Sequence, residues 1–226
     1  MTTLSPTPRS TLTRKKNRAA TDRQALYDVL DAALICHLGL VLHGSPVVLP
    51  TGYGRDGDTV YFHGSTGSGN LRAAAEGIDV CLTVTLLDGI VYARSLNNHS
   101  MNYRCAVVHG NRCAVVHGNA KRVDSPEEKT HGLKVVTEHL APGSWDYARG
   151  VTAKELASVV VLSLDLAEAS VKIRAGEPGE EPEDEHADHI WAGVVPVQTT
   201  FGAPVTASYV PGGFAVPGHI TRARGR

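Results

Sequence analysis

Residues 35–95 read ICHLGLVLHGSPVVLPTGYGRDGDTVYFHGSTGSGNLRAAAEGIDVCLTVTLLDGIVYARS. Five runs rich in β-branched and aromatic residues alternate here with turn segments such as HGSP, GRDGD and LDG. Turn-bounded apolar runs at this close spacing are typical of antiparallel strands in a sandwich or barrel. The run LRAAAE at residues 71–76 predicts a short helix that ends at Gly77. This part of the chain therefore predicts a mainly β fold with peripheral helices.

Helix and strand signals continue on both sides of this stretch. Upstream, Thr21 is the expected N-cap of an amphipathic helix over residues 22–35. Downstream, Ser125 followed by Pro126 predicts a capped helix start, and Thr152 predicts a second, brief helical turn. Residues 158–166, SVVVLSLDL, are the most β-branched run in the chain and predict a further strand.

An identical octapeptide, RCAVVHGN, occupies residues 104–111 and again residues 112–119. It lies in a predicted strand that runs from about Tyr103 into residues 120–123. Because side chains in a strand alternate with a period of two, a shift of eight residues leaves the inward and outward faces unchanged. The pattern therefore leaves open which copy lies in the sheet and whether the surplus forms a longer hairpin or an extruded loop.

The four Cys and eleven His residues suggest a metal centre only until the repeat is considered. Copying accounts for Cys105, Cys113, His109 and His117, and their spacing fits no common zinc motif. We expect no metal site.

Charge is distributed unevenly along the chain. The 22 basic and 23 acidic residues nearly cancel, which excludes the strongly basic surface of a non-specific nucleic-acid binder. No apolar run reaches the length of a membrane span, and the first residues lack the apolar segment of a secretory signal. We expect a cytoplasmic protein with three parts: a basic mobile leader at residues 1–20, one domain at 21–200 with an acidic linker at 176–189, and a Gly/Pro-rich tail at 201–226.

The stretch with the most groups that can bind a ligand is YFHGSTGSGNLR, residues 61–72, where a predicted strand enters a Gly/Ser loop and then a helix. Free main-chain N–H groups and hydroxyls converge in such a loop, so it can hold a phosphate. It matches neither the Walker motif nor the dinucleotide fingerprint. From the residues alone, a flexible hairpin connection is the alternative.

An ordered series of segments resembles the FMN-binding split-barrel family related to pyridoxamine 5'-phosphate oxidase, in the branch of flavin-nucleotide-binding proteins that includes nitroimidazole-resistance reductases. The segments that carry the resemblance are Arg23 with the following helix, 36–39, 48–55, 57–65, 70–72, 99–104, 171–174 and 191–196.

The resemblance implies a six-stranded antiparallel split β-barrel that forms a homodimer with FMN in the groove between subunits. It places Pro50, Thr51, Gly52 and Tyr53 beside the ring and ribityl chain, His63, Gly64, Ser65, Ser68 and Asn70 around the phosphate, Tyr103 and Arg104 on a neighbouring strand, and Trp191 over the ring. Relatives usually carry basic residues where this chain has Gly69 and Asn70, so Arg72 or Arg104 is left to supply the positive charge. If the second octapeptide copy lay in the sheet, Arg112 would replace Arg104 and Tyr103 would be lost.

Three functions follow as hypotheses. The first is an FMN-dependent oxidoreductase that accepts electrons from NAD(P)H and reduces a small organic acceptor. The second is a flavin- or heme-binding protein without turnover, and the third is a degenerate structural dimer without cofactor. No partner other than a second copy and these small molecules is expected.

Overall fold

The computed structural model describes residues 3–4, 6–110 and 120–222. Within them, one antiparallel sheet contains ten strands: β1 Ala19–Ala20, β2 Ile35–Leu42, β3 Ser45–Asp56, β4 Thr59–Ser65, β5 Val80–Tyr92, β6 Ser100–Gly110, β7 Lys121–Arg122, β8 Val159–Asp165, β9 Ala169–Arg174 and β10 Gly193–Pro196. The same residues form six α-helices: α1 Arg23–Ala32, α2 Gly69–Ala75, α3 Pro126–Leu140, α4 Ser144–Tyr147, α5 Ala153–Ser158 and α6 Gly218–Arg222. The mainly β fold with peripheral helices is confirmed, whereas the predicted number of six strands is not.

The sheet is not closed. Its strand order is β1-β9-β6-β5-β2-β3-β4-β8-β7, with β10 paired to β5 outside this path. Hydrogen-bonded neighbours are all antiparallel, as expected for runs joined by short turns.

Strand β3 belongs to two ladders. Residues 45–52 pair with β2, and the register ends where Gly52 lies opposite Ile35. Residues 53–56 pair with β4, beginning where Tyr53 lies opposite Phe62. A single strand therefore leaves the ladder with β2 and joins the ladder with β4 within two residues.

Local capping chemistry sets the helix starts. Ser125 and Thr152 accept hydrogen bonds from the main chain of α3 and α5, which confirms both predicted caps. The predicted cap of α1 at Thr21 was wrong by one residue, because the Asp22 carboxylate accepts the Gln24 N–H at 3.0 Å. Helix α2 begins before the predicted Leu71, since the Ser68 hydroxyl accepts the Leu71 N–H.

The first octapeptide copy lies in the sheet through residues 104–110 of β6. Residues 112–119, the second copy, lie outside the described residues. The prediction of one strand from Tyr103 to residues 120–123 was wrong, because Lys121–Arg122 form β7 and pair with β8 at the other end of the sheet.

Two apolar layers hold the fold together. The larger lies inside the sheet under α1 and includes Leu26, Leu38, Phe62 and Leu82. The smaller lies under α3 on the opposite face of β4 and β8 and consists of Tyr61, Val123, Leu133, Val136 and Val161. Helix α3 therefore covers the outer face of β4 and β8.

Two cysteines, Cys36 and Cys81, lie in strands β2 and β5. Burial of Cys36 raises the pKa of its thiol to about 12, whereas Cys81 is only half-buried. Both thiols are free.

The charged segments at the two ends make contacts with the domain. Leu4 is buried, and Arg9 and Thr7 both donate to the buried Glu168 carboxylate. In the acidic segment, Glu180 and Asp188 pair with Arg94 at 2.8 and 3.4 Å. Among the described residues, no helix combines the length and the apolar character needed to cross a membrane.

Candidate functional site

Strands β3 and β4 part at the centre of the predicted site. Their ladder ends at the pair of Tyr53 and Phe62. Beyond this pair β3 follows β2, while β4 follows β8 to Ser65. The two strands no longer pair beyond this point, and we call the region between residues 50–52 and residues 63–65 the strand cleft. Pro50, Thr51 and Gly52 thus follow the parting on β3, and His63, Gly64 and Ser65 follow it on β4.

Helix α3 ends over the strand cleft. A Cβ atom at Gly52 would lie 2.8 Å from Cδ1 of Leu140, the last residue of α3. A Cβ atom at Gly54 would lie 2.4 Å from the main-chain oxygen of Val135. The contact at Gly54 is with the main chain, so α3 can approach β3 this closely only because position 54 is glycine, whereas at Gly52 the neighbour is the end of a flexible side chain.

The Tyr53 side chain does not face the cleft. It is completely buried and donates a hydrogen bond of 2.5 Å to the Leu30 carbonyl. Burial raises the pKa of the Tyr53 hydroxyl, so the group stays protonated. His139 of α3 packs on the ring with centroids 4.9 Å apart, and its Nε2 lies 2.7 Å from the Ala33 carbonyl oxygen. Because the whole residue is buried, Tyr53 presents neither its side chain nor its main chain at the surface.

His63 carries a buried polar atom without a partner. Among the described residues, nothing forms a hydrogen bond with its buried Nδ1. Burial lowers the pKa of the imidazole, which keeps the ring neutral at pH 7. Gly64 follows it, and a Cβ atom there would lie 2.2 Å from Cδ1 of Leu71. Packing of α2 on β4 therefore explains this glycine without a ligand.

The loop after β4 offers hydroxyl groups. The Ser65 Oγ accepts the Gly67 N–H at 3.1 Å, and the Ser68 Oγ accepts the Leu71 N–H at 3.4 Å. Because each oxygen acts as an acceptor, each hydroxyl hydrogen remains to be donated. Gly69 and Asn70 form the start of α2, and a Cβ atom at Gly69 would meet no atom within 4 Å. The loop is polar, and there is open space at Gly69.

Arg104 is already held by an acidic partner. Its Nε and Nη2 donate to the two Asp88 carboxylate oxygens at 3.0 and 2.8 Å. This hydrogen-bonded pair raises the pKa of the guanidinium. By sequence, Arg104 was one possible source of positive charge for a flavin phosphate, but the Asp88 carboxylate already pairs with that charge. Arg72, the other candidate, is exposed on α2 and forms no ion pair within the described part of the chain.

Tyr103 and Arg104 lie apart from the strand cleft. Their strand, β6, pairs with β5 and β9, and two strands, β5 and β2, separate it from β3. Tyr103 lies opposite Leu87, on the outer sheet face. One copy of the chain therefore does not bring these two residues together with Pro50–Gly52.

Trp191 lies in a third place, just before β10. Its side chain is 65% exposed, and its ring centroid is 6.0 Å from that of Tyr92. An open cavity of about 440 Å³ lies beside it, lined by Arg94, Glu177–Glu180 and Ala192–Val194. The acidic lining and the ion pairs of Arg94 make this cavity a poor match for a phosphate.

Sequence reasoning missed Leu140 and His139 of α3, and it missed Asp88. Gly52 and Gly54 were the available signal for α3, because an x-Gly-Tyr-Gly pattern inside a strand indicates close approach of another backbone. Nothing in the sequence pattern connects Asp88 to Arg104.

Comparison with known proteins agrees with this architecture. A family model described as pyridoxamine 5'-phosphate oxidase matches residues 22–173. No curated protein matches the chain.

Two solved structures are similar over nearly the whole chain. The flavocytochrome Anf3 from Azotobacter vinelandii is 34% identical with a TM-score of 0.87, covering 97% of this chain and 98% of its own. The FAD and heme binding protein from Mycobacterium smegmatis is 37% identical with a TM-score of 0.85, covering 92% of this chain and 97% of its own. A putative 5-nitroimidazole antibiotic resistance protein from Bacteroides thetaiotaomicron, 22% identical over 69% of this chain and 86% of its own with a TM-score of 0.56, supports the fold alone.

Proposed function

This chain belongs to the pyridoxamine 5'-phosphate oxidase family, and on that premise we propose that it binds a flavin at the strand cleft and transfers electrons through it to a small organic acceptor. The observation that carries the proposal is the near-complete match to a flavocytochrome and to an FAD and heme binding protein, both above 30% identity. A bound flavin would supply the two-electron chemistry, with NAD(P)H as the electron donor.

The residues of the cleft fit a flavin in part. The main chain of residues 50–52 offers peptide groups beside which a planar ring system can lie. The Ser65 and Ser68 hydroxyl groups supply donors for a phosphate, and Asn70 adds an amide. His63 offers an unpartnered, neutral imidazole nitrogen in the same region. Arg72 is the nearest cation in sequence, since Asp88 holds Arg104.

We propose that the functional unit is a homodimer. The predicted contacts fall into clusters that one chain keeps apart: the strand cleft, Tyr103 on β6 and Trp191 before β10. A second copy related by a two-fold axis is the simplest way to place Tyr103 and Trp191 against the cleft of the first. The exposed Trp191 ring would then cover the flavin ring, as flat aromatic surfaces stack well.

FMN and FAD share the ring, the ribityl chain and the first phosphate. FMN is the flavin implied by the resemblance, and FAD is the flavin named for the M. smegmatis relative. We propose FMN and make FAD an outcome of the titration: the tighter-binding flavin is the natural one.

Heme binding is a second candidate function, because both near-full-length relatives are described as a flavocytochrome or as a heme binding protein. A protein holding both groups would pass electrons between flavin and heme. A colourless protein that takes up neither group would leave the structural dimer as the remaining hypothesis.

The test is a visible absorption spectrum of the purified full chain, followed by titration with FMN, FAD and heme separately. Flavin bands, or quenching of flavin fluorescence at micromolar protein, support the proposal, whereas a Soret band alone supports the heme alternative. Ser65→Ala is expected to weaken flavin binding by about tenfold, since one hydrogen bond to a charged group contributes about 1.5 kcal/mol. Thr66→Ala is the matched control, because its hydroxyl donates to the Ser158 carbonyl.

Turnover separates an enzyme from a carrier. The reconstituted protein should oxidise NADH or NADPH faster in the presence of a nitroaromatic acceptor than the same amount of free flavin does. A rate no higher than that of free flavin refutes the enzyme proposal but leaves flavin binding intact.

A further inference from the structure

The segment between β10 and α6, residues 197–217, contains no Asp, Glu, Lys, Arg or His. A solvated tail is usually rich in charged residues and poor in aromatic ones. This segment instead carries Phe201, Tyr209 and Phe214 together with several Val and Ala residues. Depletion of charge and enrichment of aromatic side chains is the composition of a protein interface core.

Both ends of the segment are attached to the body of the protein. At its start, the Val197 N–H donates to the Asp88 carbonyl at 3.0 Å. At its end, the His219 ring of α6 packs on Tyr147 with centroids 4.9 Å apart, and a Cβ atom at Gly143 would lie 2.9 Å from His219 Cβ. We call residues 197–217 the C-terminal arm.

Between these attachments, the large apolar side chains of the C-terminal arm point into solvent. Val205 is 94% exposed, Tyr209 87% and Phe214 64%. A single exposed apolar side chain is ordinary, but an uncharged run of them marks an interaction surface. The arm therefore has a surface that its own chain leaves uncovered.

The same chain has an uncovered apolar sheet face. On β2 and β3 the outward side chains include Ile35, Val41 and Val48, each more than half exposed. Pro46 and Pro50 lie opposite β2 residues on this face and are exposed. Residues 35–54 contain no Asp, Glu, Lys or Arg. Helix α3 ends over Gly52 and leaves this half of the sheet open.

We infer that the C-terminal arm packs on the β2–β3 face of a second copy of this chain. A two-fold axis would place the arm of each copy on the β2–β3 face of the other copy. Both arms and both faces would then be covered in one closed dimer. The inference rests on the homodimer of the proposed function and names the surfaces that form it.

The exposed area is of the right size. With about 200 Å² for each aromatic side chain, the exposed parts of Phe201, Tyr209 and Phe214 amount to about 400 Å². A standard stable interface buries about 800 Å² on each partner. Three side chains of the arm thus supply about half of the area that one partner needs.

A lipid surface is a poorer match. Helices and anchors that lie on membranes combine apolar side chains with Lys or Arg that attract anionic lipids. The C-terminal arm carries neither residue. An uncharged protein face matches it better.

The test uses the full chain with the double substitution Tyr209→Ser and Phe214→Ser, and the dimer dissociation constant is measured by sedimentation velocity. We expect an increase of at least about 100-fold, because each dimer loses four buried aromatic side chains. Val48→Ser on the receiving face should raise the constant in the same direction. Leu96→Ser is the matched control, since Leu96 is 89% exposed and lies on neither surface. Far-UV circular dichroism checks that every variant is folded.

The outcomes separate this inference from the proposed function. A wild-type dimer that the arm substitutions leave unchanged overturns the arm inference while the flavin dimer stands. A wild-type protein that is monomeric at micromolar concentration overturns both the arm and the dimer, and the flavin titration then decides binding alone. If the double variant keeps the dimer but loses binding to phosphatidylcholine–phosphatidylserine vesicles, the arm is a membrane element and the inference is overturned.

Discussion

Replacement of Gly54 by Ala should lift α3 from the sheet. The new Cβ would lie 2.4 Å from the Val135 oxygen, 2.7 Å from its carbonyl carbon and 2.9 Å from the Val136 nitrogen. All three are main-chain atoms of one helix, so no side-chain rotation relieves the clash. Ordinary contacts begin near 3.4 Å, and α3 must therefore move by about 1 Å.

The expected cost follows from the layer beneath α3. Tyr61, Leu133, Val136 and Val161 are buried there, and burial of each contributes about 2 kcal/mol. A gap of about 1 Å forfeits between a quarter and a half of the contact energy. The free energy of unfolding should fall by about 2–4 kcal/mol, a large part of the stability of an ordinary domain.

Urea unfolding followed by far-UV circular dichroism measures this change, with the slope of the transition checked against wild type. Gly64→Ala should cost less, because its Cβ meets only the end of the flexible Leu71 side chain. Gly69→Ala meets nothing and should be neutral or stabilising by about 0.5 kcal/mol. A Gly54→Ala protein within about 0.5 kcal/mol of wild type would refute the close packing of α3 on β3.

Three further changes test other parts of the site. Because burial lowers the pKa of His63 in the folded state, the unfolded chain binds more protons near pH 6, so stability should fall as the pH drops below about 6.5. His63→Phe should flatten the dependence of Tm on pH between about pH 7 and pH 5. A variant whose Tm depends on pH as steeply as that of the wild type would contradict this. Arg9→Met removes one partner of the buried Glu168 and should lower the free energy of unfolding by about 1 kcal/mol, with exposed Arg14→Met as control; no loss would show that the leader does not stabilise the domain. Gly69→Lys places a cation in open space beside the loop hydroxyls and should tighten flavin binding by about tenfold in a fluorescence titration, whereas unchanged affinity would place the phosphate elsewhere.

Features that depend on neighbours in sequence could be predicted. The caps at Ser125 and Thr152 are confirmed because a cap side chain and the N–H groups that it accepts lie within three residues. The helix at residues 71–76 and the strand at 158–166 also follow from local composition. The miss at Thr21 is of the same local kind, since Asp22 competes for the same N–H groups one residue later.

Features that depend on distant partners could not be predicted in this way. The run SPVVLPTGYGRD carries no signal of what happens after Gly52, where β3 stops pairing with β2 and begins to pair with β4. The side chains of a strand alternate between its two faces whichever neighbour it pairs with, so this alternation does not reveal a change of pairing partner. The charge of Arg104 was assigned to a phosphate because Asp88 lies on another strand, and only the register of β5 against β6 brings the two together.

The two copies of the octapeptide are identical, so residues outside the repeat must determine which copy forms β6. Either copy satisfies the inward and outward faces of β6, so the choice rests on what precedes it. Residues 100–102 pair with β5 around a register shift between Leu87 and Gly89, and Asn102 donates to the Gly176 carbonyl and accepts from Arg174. Copy one follows Asn102 and Tyr103 directly and keeps this end of the ladder, whereas copy two would place Gly110 and Asn111 in the positions of Asn102 and Tyr103. A glycine there supplies neither hydrogen bond, and the half-buried Tyr103 would leave its place opposite Leu87. The sheet therefore selects the first copy through contacts made upstream of the repeat, which the repeat itself does not encode.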